Sequence, residues 1–92
     1  MKVFGTKIII EKKSDFKEKF LIRNATDISI GDDIKEIPNY AFMHCKKLLS
    51  CFIEKNVKRI GVSAFEDCEN LKSIIIPGNV KKNRRTCFFK LS

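Results

Sequence analysis

The sequence predicts an α/β fold: a short stack of about three repeats of 23 residues, each a parallel strand followed by a short helical turn. Two observations carry this. The chain lies on itself when shifted by 23 residues, and the matching positions are apolar while those between them vary freely. The phrase Ala41-Phe42-Met43-His44-Cys45-Lys46-Lys47-Leu48 returns as Ala64-Phe65-Glu66-Asp67-Cys68-Glu69-Asn70-Leu71.

At this offset Ile28, Cys51 and Ile74 coincide, as do Ile30, Ile53 and Ile76. Ile34 meets Val57 and Val80, Ile37 meets Ile60, and Ala41 meets Ala64 and Cys87. Phe42, Phe65 and Phe88 form one register, and Cys45, Cys68 and Leu91 another, with Leu48 matching Leu71. The β-branched run Ser73-Ile74-Ile75-Ile76 predicts a strand whose side chains alternate, with Ile74 and Ile76 inward and Ile75 outward. Ala64, Phe65, Cys68 and Leu71 then follow the spacing of one helix face, and Ser63 with Glu66 has the spacing of a capping box. One such unit cannot bury its own apolar face, but stacked units cover one another.

A weaker copy precedes these units. Phe20 lies 22 residues before Phe42 and Ile8 lies 22 before Ile30, with Ile22 and Ala25 at the Cys45 and Leu48 positions. Residues 1–27 are therefore read as a degenerate N-terminal or capping unit, and 28–92 as the repeat stack, one domain overall. The third unit decays, since Asn83 stands where Ile37 and Ile60 stood.

The pattern resembles the BspA-like leucine-rich repeat family. The positions that carry the resemblance are Ile53, Val57, Ile60, Gly61, Ala64, Phe65, Cys68 and Leu71, continued by Ile74, Ile76, Pro77 and Val80. The resemblance implies a short leucine-rich-repeat-like solenoid with no catalytic residues. Similar proteins are often at the cell surface and engaged in adhesion. The chain itself shows no signal peptide, which on sequence alone points to the cytoplasm.

Net charge is +8, and its placement is uneven. Residues 1–23 hold seven Lys/Arg against three acids, 24–80 hold seven against eight, and 81–92 hold five with no acid. This is not the single basic stripe of a dedicated nucleic-acid domain. No apolar run approaches the roughly 20 residues that a membrane-crossing helix needs.

No enzyme chemistry is legible. The cysteines at 45, 51, 68 and 87 contain no C-x-x-C pair and fit no zinc spacing, so no metal or cofactor is expected. Ile22 and Leu91 hold the place of Cys45 and Cys68 in other units, so a packing role accounts for these thiols. The one histidine, His44, is expected to face solvent. Two surfaces remain. Ser29, Phe52 and Ile75 should line up on the open face of the sheet, where repeat arrays bind protein partners. Lys81, Lys82, Arg84 and Arg85 form a basic patch for nucleic acid or an anionic surface, or a charged end that discourages further stacking. Non-catalytic protein binding through the sheet face is the first reading, nucleic-acid binding through the basic ends the alternative, and self-association is expected because the final rung has little to cover it.

Overall fold

The computed structural model describes residues 1–75. Five strands form one sheet in the order β1 (Lys2–Phe4), β2 (Lys7–Ile10), β3 (Asp27–Ile30), β5 (Ser50–Ile53) and β7 (Ser73–Ile75). From β2 onward all are parallel. A second, two-stranded parallel sheet pairs β4 (Glu36–Ile37) with β6 (Arg59–Ile60).

The expected register is present. Ile28 pairs with Cys51 and Cys51 with Ile74, while Ser29 pairs with Phe52 and Phe52 with Ile75. Ile28, Ile30, Cys51 and Ile53 are buried, and Ile74 packs partly buried against them. Ile34 and Val57, Ile37 and Ile60, and Leu48 and Leu71 fill the core in matching pairs. Phe42 and Phe65 are fully buried with ring centroids 5.3 Å apart. Expectations about Ile76, Pro77, Val80, Asn83, Cys87, Phe88 and Leu91 lie outside the described residues.

The short helices are not formed. Residues 39–47 and 62–70 are runs of turns. Tyr40, His44, Ser63 and Asp67 all have φ between 55° and 63°, and 40/63 and 44/67 are repeat partners. A left-handed residue interrupts a right-handed helix, and here it does so twice per unit. Three-residue turns close between these corners, as in Met43 N–H to Tyr40 O, Cys45 N–H to Phe42 O and Cys68 N–H to Phe65 O. Ser63 consequently does not cap a helix. Its hydroxyl bonds the Glu66 carboxylate at 2.9 Å instead.

Gly61 stands where no side chain fits. A Cβ there would overlap the Asn39 nitrogen and lie 2.6 Å from the Pro38 carbonyl carbon. The rungs touch backbone to backbone at this point.

The first unit departs most from the regular pattern. β1 and β2 form an antiparallel hairpin turned by Gly5 (φ 64°), the conformation that glycine adopts without steric cost. Ile8 pairs with Ile28 and Ile10 with Ile30, an offset of 20 rather than 22. Phe20 is 78% exposed on the six-residue helix α1 (Lys19–Asn24), so it does not extend the phenylalanine ladder. Phe16 does, from a 3₁₀ turn over Lys13–Lys17, with its ring 5.9 Å from that of Phe42. Asp15 is buried because it is the organising acceptor of this segment. Its Oδ2 takes the N–H groups of Glu11 (2.9 Å) and Lys12 (3.2 Å) and meets the N-terminal ammonium at 3.0 Å.

Candidate functional site

The outward side of the sheet carries two rows. One runs Lys7, Asp27, Ser50, Ser73 and is largely satisfied within itself. Asp27 accepts from the Ser50 and Thr26 hydroxyls, which holds its carboxyl below the ordinary range. The other row runs Lys2, Ile9, Ser29, Phe52, Ile75. Within it Phe52 is 42% and Ile75 55% exposed. The three residues expected on the open face are thus adjacent and outward, and Ile9 extends their row. A shallow depression of about 370 Å³ lies among Ile9, Ser29 and Phe52, with Asp32 and Glu54 at its lip. Burial, and then a hydrogen bond with Asp32, push the Glu54 carboxyl up.

The thiols sit where packing wants them. Cys45, Cys51 and Cys68 are free and buried. Burial pushes Cys45 up to about 12 and Cys68 up to about 11, and raises Cys51 as well. A thiol so far from ionisation is a poor nucleophile and a poor metal ligand. The Cys45 and Cys68 sulfurs point at the Ile22 and Phe42 carbonyls.

His44 is half exposed, as expected, and its partner lies on the next rung. Its Nδ1 lies 2.7 Å from Asp67 Oδ2, and Lys46 reaches Asp67 and Glu69 at 3.8 and 3.5 Å. The bond to His44 is the first cause that holds Asp67 below the usual carboxylate range. Among the described residues no three His, Cys, Asp or Glu side chains converge as metal ligands do. No helix among them is long and apolar enough to cross a membrane. The basic patch of Lys81, Lys82, Arg84 and Arg85 lies outside the described residues.

A second depression, of about 220 Å³, opens on the opposite side of the core between α1 and the turns at 40–45. Lys19, Ile22 and Arg23 of α1 line it on one side and Tyr40, Ala41, Met43 and Cys45 on the other, with Ile22, Ala41 and Cys45 buried and Tyr40 exposed. The sequence holds a signal for it: Tyr40 and Met43 replace the Ser63 and Glu66 of the next unit.

No curated protein and no solved structure shows a significant match to the chain. A family model, described as the BspA type leucine rich repeat region (6 copies), matches residues 9–92. That match spans nearly the whole chain and agrees with the parallel, 23-residue register seen in the sheet. The chain belongs to the BspA-type leucine-rich repeat family.

Proposed function

We propose that the chain is a short repeat solenoid that binds a protein partner through the outward face of its parallel sheet, at Ser29, Phe52 and Ile75. Repeats of this family generally mediate protein–protein interaction and are typically non-catalytic. The observation that carries the reading is the row Ile9, Ser29, Phe52, Ile75, where two large apolar side chains stand next to each other in solvent. Neither contributes to the buried core. Clustered apolar surface of this kind marks contact sites. Residues 1–27 serve as a cap in this reading: β2 continues the parallel stack, and antiparallel β1 occupies the outer edge of β2 that another parallel strand would otherwise take. Self-association belongs to the same account, because the third unit decays in sequence, with Asn83 where Ile37 and Ile60 stood.

The test compares three proteins: wild type, Phe52→Ser/Ile75→Ser, and a tail variant with Lys81, Lys82, Arg84 and Arg85 changed to Gln. A protein held by wild type and by the tail variant, but released by the double variant, supports the reading. Binding of mixed-sequence RNA that collapses with salt and is lost in the tail variant would replace it with nucleic-acid binding. Equal protein capture by the double variant would overturn it.

A further inference from the structure

The turn segment at 39–45 is hydrogen-bonded along one side. The N–H groups of Tyr40, Phe42 and His44 donate to the carbonyls of Val62, Ala64 and Glu66 at 2.9, 2.8 and 2.9 Å. The alternate N–H groups, of Ala41, Met43 and Cys45, close three-residue turns within the segment. The peptide bonds of the described residues are all trans, so the C=O preceding each ladder N–H points the opposite way. The carbonyls of Asn39, Ala41 and Met43 therefore face the first unit, as those of Val62, Ala64 and Glu66 face this segment. Where a preceding rung would donate to them, the chain places α1. Among the described residues these three carbonyls accept no hydrogen bond.

The depression beside α1 lies along this unmet edge. Ala41 and Met43 line it, and so do Lys19 and Arg23, which have no acid within ion-pair reach among the described residues. No acid lines it. Tyr40 adds a third observation. Its φ of 61° is an outlier for a bulky residue, and the equivalent corner of the next unit is met by Ser63. The turn does not need an aromatic ring there, yet the ring stands half exposed at the mouth of the depression.

We infer that this edge accepts an extended acidic segment of a protein partner, which donates backbone N–H groups to the Ala41 and Met43 carbonyls and places carboxylates against Lys19 and Arg23. Backbone donors answer the carbonyls, and anions answer the cations; a cationic ligand would meet repulsion from both side chains. A depression of about 220 Å³ is below the usual range for small-molecule sites and suits a short stretch of chain. The mode is strand addition to an open ladder edge. Residues 81–92 of this chain contain no acid and lack the required chemistry.

A fluorescent peptide that alternates Val and Glu is the probe, titrated into the full chain. It should bind wild type, shift the carbonyl resonances of Ala41 and Met43, and compete poorly as salt rises. Lys19→Glu/Arg23→Glu should weaken it by roughly tenfold or more, and methylation of its alternate amides by a similar factor, as expected for lost charge-assisted and backbone hydrogen bonds. Phe52→Ser should leave it unchanged, which separates this edge from the sheet face. The N-methyl comparison uses wild type and stands even if the charge-reversal variant folds poorly. Absence of binding at millimolar peptide, equal binding of a Val/Lys peptide, or equal binding of the N-methylated peptide would each overturn the inference.

Discussion

The first unit and the regular rungs solve the same packing problem with different backbones. In the rungs at 39–48 and 62–71, left-handed corners at matching positions set Ala, Phe, Cys and Leu into the core and align the main chains for a ladder. Residues 1–27 use an antiparallel hairpin, a 3₁₀ turn and a six-residue helix. They still deliver Ile8, Ile10, Phe16, Ile22 and Ala25 to the same core. What they do not deliver is a backbone in register with the turn segment that follows. Apolar contact is non-directional and is satisfied by any route that brings a side chain of the right size. Hydrogen bonding is directional, and a change of local structure interrupts it. The first unit thus covers the core while supplying, among the described residues, no hydrogen-bond donor to one edge of the turn ladder.

The largest effects should come from the phenylalanine ladder, where both kinds of unit meet. Phe42 stacks on Phe16 from the first unit and on Phe65 from the regular stack. Phe42→Ala and Phe65→Ala should each cost about 3–5 kcal/mol, comparable with much of a small domain's total stability. Phe16→Ala, at the end of the ladder, should fall at the low end of that range, about 3 kcal/mol. Denaturant melts of the three variants check this ranking. A Phe20→Ala melt should match wild type, because Phe20 is 78% exposed.

Next in size is the backbone contact between rungs. Gly61→Ala forces a Cβ onto the Pro38–Asn39 peptide, and overpacking of this kind costs about 1–3 kcal/mol. A melt within error of wild type would show that the rungs separate more easily here than their contact implies.

Asp15 sharpens the comparison from the first unit's side. Burial alone would raise its carboxyl. The Glu11 N–H, the N-terminal ammonium and the Lys12 N–H outweigh that and hold it low. Its folded value lies below its unfolded one, so its stabilisation is present above about pH 3.9 and is lost as pH falls through the folded value. Asp15→Asn should be less stable at neutral pH and should lose less on acidification than wild type. Parallel pH–stability curves would contradict the assignment. The smallest effect belongs to the exposed pair His44 and Asp67. His44→Ala should change the melt only slightly, and that slight difference should diminish with salt.

The regular stack was legible because a repeat reports the core directly. Among the described residues the aligned apolar pairs of the two regular units, such as Ile37 with Ile60, are buried pairs, and Ile74 packs partly buried beside them. The outward row of Ser29, Phe52 and Ile75 followed from strand alternation. The turns were misread as helices for a physical reason. The spacing of Ala64, Phe65, Cys68 and Leu71 fits one helix face, and a coil with left-handed corners reproduces it. The discriminating signal was the residue type at those corners: His44 and Asp67 are types that enter the left-handed region more readily than most. The first unit was misregistered because its spacing is not that of the repeat, so Phe20 stood in for Phe16 in the alignment. The depression beside α1 was not legible at all, since it exists only because a helix lies where a rung would be.

The direct test of one closed and one open ladder edge is NMR detection of couplings across hydrogen bonds, which reports each donor–acceptor pair. The account predicts couplings from the amides of Tyr40, Phe42 and His44 to the carbonyl carbons of Val62, Ala64 and Glu66, and none from this chain to those of Ala41 and Met43. A helical series of couplings along 39–47, or an amide of this chain coupled to the Ala41 or Met43 carbonyl, would contradict it.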